Sequence, residues 1–180
     1  MPYATTHILL AVILIELYRD LFVKNNKKFP RYYILIAAIG AIIPDLDVAV
    51  YYGLSFFGFT LEQLHRMFSH TIFIPLILSI IGLFFWRFEI KNEQFAKRHI
   101  TLPTTFFILS AMSLLHLILD ATLAGYVMPF YPISDYSIGL NLVELFPIAW
   151  QGIILPTIDA ILLLFWVAWM EFKLKIPDYF

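Results

Sequence analysis

Five stretches of this 180-residue chain, roughly 4–23, 32–54, 71–88, 102–124 and 153–172, are apolar over the length of a membrane span. A hydrocarbon core of about 30 Å demands about 20 helical residues. Lipid offers the backbone no hydrogen bonds, so each stretch has to be a helix. Charged residues are 14% of the chain, where a soluble domain carries about 25%. The expectation is an all-α, multi-pass integral protein of the cell membrane. It forms a single transmembrane helical domain over 1–180, with about five transmembrane helices.

Net charge of -1 leaves no basic footprint for nucleic acid. The absence of cysteine removes disulfides and thiolate metal sites. The N-terminal apolar run has no basic residues before it and no small-residue cleavage site after it, so it reads as a retained helix. Basic residues fall in alternate connections: Lys24, Lys27, Lys28 and Arg31, then Arg87, Lys91, Lys97 and Arg98, then Lys173 and Lys175. Between 55 and 70 the only fixed cation is Arg66, and 125–152 has none. The positive-inside rule then puts the N-terminus outside and the C-terminus in the cytoplasm.

On that topology the unusual polar residues share one layer. His7 lies at the outer start of the first helix, and Asp45 and Asp47 in the outer half of the second. His65 and His70 precede the third helix, while His116 and Asp120 occupy the last two turns of the fourth. Seven potential ligands from four helices converge, and of the histidines only His99 stays on the other side.

Each has a plain reading too. His116 and Asp120, at i and i+4, share a helix face, but such a couple is more often just hydrogen bonded. PDLD at 44–47 would ordinarily be a helix-end turn with a capping aspartate, yet it is embedded between IAAIGAII and VAVYY. Charges at such a place cost about 2.5–3.5 kcal/mol each on insertion scales and are functional by default. Asp45 and Asp47 stand about 200° apart on a regular helix, so they share a site only if Pro44 distorts it, or if they reach different metals, or if one stands behind the ligands. TLEQLHRMF reads as a short interfacial helix ending near His65; His70 opens the next helix, with Ser69 as N-cap and Thr71 as a further capping residue. His7 alone would be an interfacial histidine. Arg66 is as well explained by snorkelling as by a phosphate contact. GYVMPFYP at 125–132 reads as a rigid interfacial loop, with Asn141 and Glu144 as surface residues beyond it.

Histidine with aspartate suits zinc first, with manganese or iron as alternatives. A catalytic zinc takes about three protein ligands, so seven candidates point to more than one ion. Two-metal sites stabilise the attacking and leaving oxygens of phosphoryl transfer.

TH at 6–7, PDLD at 44–47, HRMFSH at 65–70, HLILD at 116–120 and the glycine-to-PFYP stretch at 125–132 resemble the YdjM-like family, LexA-regulated inner-membrane metal-dependent hydrolases. The resemblance implies a membrane-bound metal-dependent hydrolase with His7, Asp45, Asp47, His65, His70, His116 and Asp120 at the matched positions. The set is also, more distantly, similar to zinc-dependent phospholipases C. The expected function is hydrolysis of a lipid phosphoester at the outer interface by metal-activated water. Asp47 or Asp120 would act as base, Arg66 would hold the phosphate, and a membrane lipid would be the substrate. The competing readings are a divalent metal or proton transporter, whose site would sit near the midplane between repeats, and a non-catalytic protein with a structural metal.

Overall fold

The computed structural model describes residues 3–23, 29–58, 69–88 and 97–174. His65, Arg66 and the segment read as an interfacial helix lie outside them. The described chain is helical, with one isolated bridge, Val127 to Ile138. Helix α1 is Ala4–Tyr18 and runs on as a π-helical turn, Arg19–Val23. Helices α2 (Tyr32–Ile42) and α3 (Leu46–Leu54) are joined through a 3-10 turn, Ile43–Asp45. Helix α4 is Phe73–Arg87, α5 is Leu102–Leu123 and α6 is Ile148–Leu174.

Among the described residues three helices are long and apolar enough to cross a membrane: Tyr32–Phe57, Leu102–Leu123 and Ile148–Lys173, with mean hydropathy 2.0, 1.9 and 2.1. Of the two other expected spans, α4 is apolar but has 15 residues, about 22 Å of rise, because 69–72 form a turn rather than its first coil. Glu16, Arg19 and Asp20 make the second half of the α1 segment polar. Arg19 is buried there, donating from Nε to the Phe29 carbonyl at 3.1 Å, which ties the end of α1 to the residues just before α2.

Helix α5 packs on α2 and on α4, α1 packs on α2, and α6 lies against α1. Two glycines set the spacing around α5. A Cβ on Gly40 would stand 3.0 Å from Leu109 Cα and Met112 Cβ, and one on Gly82 would stand 3.1 Å from the Phe107 ring. Small residues let membrane helices approach this closely. The core between α1, α2 and α5 is built on Ala11, Ile15, Tyr33, Ala37, Ala41 and Met112. Tyr33 Oη also accepts the Thr101 N–H at 2.9 Å, fixing the start of α5. Helix α6 is held to α1 by polar contacts, from Thr6 Oγ1 to Asp159 and from Trp166 Nε1 to Glu16 Oε2 at 3.2 Å. Most of its surface is open.

Candidate metal centre

Pro44 is the local cause of the site. It sits inside the 3-10 turn Ile43–Asp45, where the regular helix is interrupted. The interruption lets two carboxylates that a regular helix would point apart serve one imidazole. Asp45 Oδ1 faces His70 Nε2 at 3.5 Å, and Asp47 Oδ2 faces Nδ1 of the same ring at 3.2 Å. His70 itself lies in the turn ahead of α4, with no solvent exposure.

Helix α5 supplies the opposite wall. His116 Nδ1 donates to the Ala41 carbonyl at 2.7 Å, which leaves Nε2 as its free lone pair. That Nε2 stands 3.3 Å from His70 Nε2, 3.5 Å from Asp45 Oδ1 and 3.5 Å from Asp120 Oδ2. Asp120 Oδ2 is also 3.4 Å from His70 Nε2. Helix α1 closes the site with His7, whose ring stacks on His116 at 3.8 Å and whose Nε2 is 3.3 Å from Asp120 Oδ1.

Two triplets can each hold a cation: Asp45, His70 and His116, and His7, His116 and Asp120. Their spacing fits one. Ligands at 2.0–2.2 Å around a tetrahedral zinc stand about 3.3–3.6 Å from each other, and the separations around the His70–His116 edge are 3.3–3.5 Å. Both Asp120 oxygens are buried and no hydrogen bond is directed at them among the described residues. Three imidazole nitrogens nevertheless stand 3.3–3.5 Å from them, the spacing of ligands around an ion. Charge argues the same way. Asp45, Asp47 and Asp120 bring three negative charges together, and no lysine or arginine pairs with Asp45 or Asp120 among the described residues. Burial works against a charged His70, yet Asp120, Asp45 and Asp47 push its pKa up to about 10, so the cluster holds a proton where it lacks a cation. His116 serves one ion only, since its other nitrogen is committed to Ala41.

Five of the seven expected ligands are therefore brought together, with Asp47 at the rear edge of His70; His65 and Arg66 fall outside the described residues. His99 is remote and exposed, at φ 57° in the loop before α5. The capping reading of Ser69 fails: α4 has Ile72 at its N-cap and no side-chain cap, while Ser69 Oγ donates to Asp47 Oδ2 at 2.6 Å. Asn141 is not a surface residue either. It is buried, in the left-handed conformation at φ 49°, and its Oδ1 accepts the Gly125 N–H at 3.1 Å. Glu144 is exposed as expected. The Ala41 carbonyl carries no sequence signal, since every residue has one. Ser69 had one, its place beside His70, but hydroxyls at helix starts usually cap.

Among these candidate ligands Asp45 is the most open, 24% exposed, against 2% or less for His7, His70, His116 and Asp120. The model of the YdjM inner membrane protein family matches residues 1–175. No curated protein and no solved structure matches the chain.

Proposed function

The chain belongs to the YdjM inner membrane protein family, and on that premise we propose that it is a membrane-embedded metal-dependent hydrolase cleaving a lipid phosphoester at the outer interface. The observation that carries the reading is the His70–His116 edge, flanked by Asp45 and Asp120 at 3.4–3.5 Å within a chain built for lipid. Asp45, His70, His116 and Asp120 would hold the cation, with zinc first and manganese or iron as alternatives. A bound divalent ion would polarise a phosphoryl oxygen and acidify water.

The chain's own residues do the rest. Ala41 and Asp47 fix the ring orientations of His116 and His70. Asp47 Oδ2 already accepts from Ser69, which favours Asp120 as the acceptor of the water proton, through the Oδ1 that faces His7. Asp45, on the open side, meets the substrate. Arg66 holds the phosphate in this reading. The topology that goes with it is the five-helix path with the N-terminus outside. A lipid substrate follows from position, because its phosphate lies at the interface beside apolar helices.

The burial of His70, His116 and Asp120 supports one second reading, a structural metal without turnover. Phospholipids and isoprenoid phosphates in mixed micelles, with products followed by mass spectrometry, separate the two. The hydrolase reading predicts product with native protein, none with chelator, and recovery on adding metal. Turnover insensitive to chelator would overturn it, as would no product across the panel.

A further inference from the structure

The connection between α5 and α6, residues 124–147, exposes large apolar side chains at a place where a water-facing loop would be polar. Ile133 is 80% exposed, Leu140 68% and Leu145 77%, with Tyr136 also exposed. The segment has no lysine, arginine or histidine, and its only charges are Asp135 and Glu144. Its exposed apolar side chains continue without a break into those of α6, where Ile148 is 88% exposed and Trp150 and Ile153 follow. Helix α6 is long and apolar enough to cross the membrane.

The backbone gives an independent sign. Irregular backbone in lipid has to pair internally. Val127 and Ile138 exchange both of their hydrogen bonds at 2.9 Å. The Ile133 N–H donates to the Phe130 carbonyl at 2.8 Å, and Phe146 N–H to the Val143 carbonyl at 3.2 Å. Gly125 N–H is taken by the buried Asn141 side chain. Positions 129, 132 and 147 are proline and have no N–H to satisfy. A Cβ on Gly139 would collide with the Gly125 carbonyl, so the two arms of the loop are held against each other.

From these observations we propose that residues 124–147 are immersed in the interfacial region of the lipid leaflet, with Ile133, Leu140 and Leu145 in contact with lipid. Asp135 and Glu144 limit the depth to the headgroup and upper acyl region, where Tyr126, Phe130 and Tyr136 also belong. The partner is the bilayer itself. The loop hangs from the metal centre at two points. Leu140 N–H donates to the carbonyl of Ala121, next to Asp120, at 2.6 Å, and Pro129 O accepts from Ile72, two residues after His70, at 2.9 Å. Immersion of the loop therefore sets the centre level with the leaflet. The inference concerns placement and does not require the hydrolase reading.

The chain has no cysteine, so single cysteines report without further engineering. Ile133→Cys, Leu140→Cys and Leu145→Cys, each with a nitroxide label and reconstituted in phospholipid vesicles, are compared with Lys97→Cys, an exposed site in a basic connection. Collision with oxygen, which partitions into lipid, is measured against collision with a water-soluble nickel chelate. Immersion predicts that oxygen exceeds nickel at all three loop sites and that the order is inverted at Lys97. Nickel access at the loop sites equal to that at Lys97 would place the loop in water. Low access to both reagents would mean that a protein covers it. Either result overturns the proposal, and neither depends on turnover.

Discussion

Asp45 and Asp47 stand on opposite sides of one imidazole, and this sets the division of labour at the site. Asp45 shares the Nε2 side with Asp120 and His116, while Asp47 steadies Nδ1 together with Ser69. A carboxylate behind a ligating histidine is typically worth about 10–100-fold in metal affinity. Asp47→Ala should therefore weaken binding by about that factor, with a smaller loss for Ser69→Ala, while His116→Ala and Asp120→Ala should abolish it. Competition against a fluorescent chelator measures this; equal affinities for Asp47→Ala and wild type would remove the orienting role. Proton release tests the electrostatics. His70 in the metal-free site is protonated below about 10, and metal requires it neutral. Binding at neutral pH should expel a proton and tighten as pH rises, which calorimetry in buffers of different ionisation heat would show. A binding heat independent of buffer would contradict it. Much of this was legible in the sequence: PDLD in an apolar run and the HLILD spacing marked residues that the fold brings together. The split between Asp45 and Asp47 was not, because it depends on the 3-10 turn at Pro44 and on where α4 delivers His70.

Helix contacts determine whether those residues meet at all. The Ala41 carbonyl reaches His116 because Gly40, its neighbour, lets α2 touch the backbone of α5 at Leu109. The obstacle to a Cβ there is backbone, which cannot swing aside. Gly40→Ala should cost about 1–3 kcal/mol by overpacking, lower the melting temperature in detergent, and weaken metal binding by shifting Ala41. Gly53, with nothing close to it among the described residues, should accept alanine without either effect. Identical melting of Gly40→Ala and wild type would refute the close approach. Apolar length marked each helical segment but not its limits: α4 starts late and the second segment is broken by a 3-10 turn. Glycine packing was not readable, since Gly40 and Gly53 look alike in a sequence and differ only in what faces them. The late start of α4 was hidden for a related reason: Ser69, His70 and Thr71 continue smoothly into an apolar run, and their turn is set by contacts to Asp47 and to the loop at Pro129.

At the scale of the whole molecule, α1, α2 with its 3-10 turn, α5 and the turn before α4 all converge on one buried anionic cluster, and the loop after α5 hangs from its edge. Basic connections alternate with acidic or neutral ones, so a tag at the N-terminus should be open to external protease and one at the C-terminus protected. The reverse pattern would move the site to the cytoplasmic face without dispersing it. The family match says that the chain is an inner membrane protein and leaves the reaction to experiment. Metal content decides whether the buried cluster is a metal centre. Elemental analysis of protein purified without chelator, and of His70→Ala, Asp120→Ala and His99→Ala, should find at least one divalent ion per chain in wild type and in His99→Ala. Occupancy should be lost or sharply lowered in the other two. Equal occupancy in all four proteins, or a folded wild type that takes up no zinc, manganese or iron, would contradict the account.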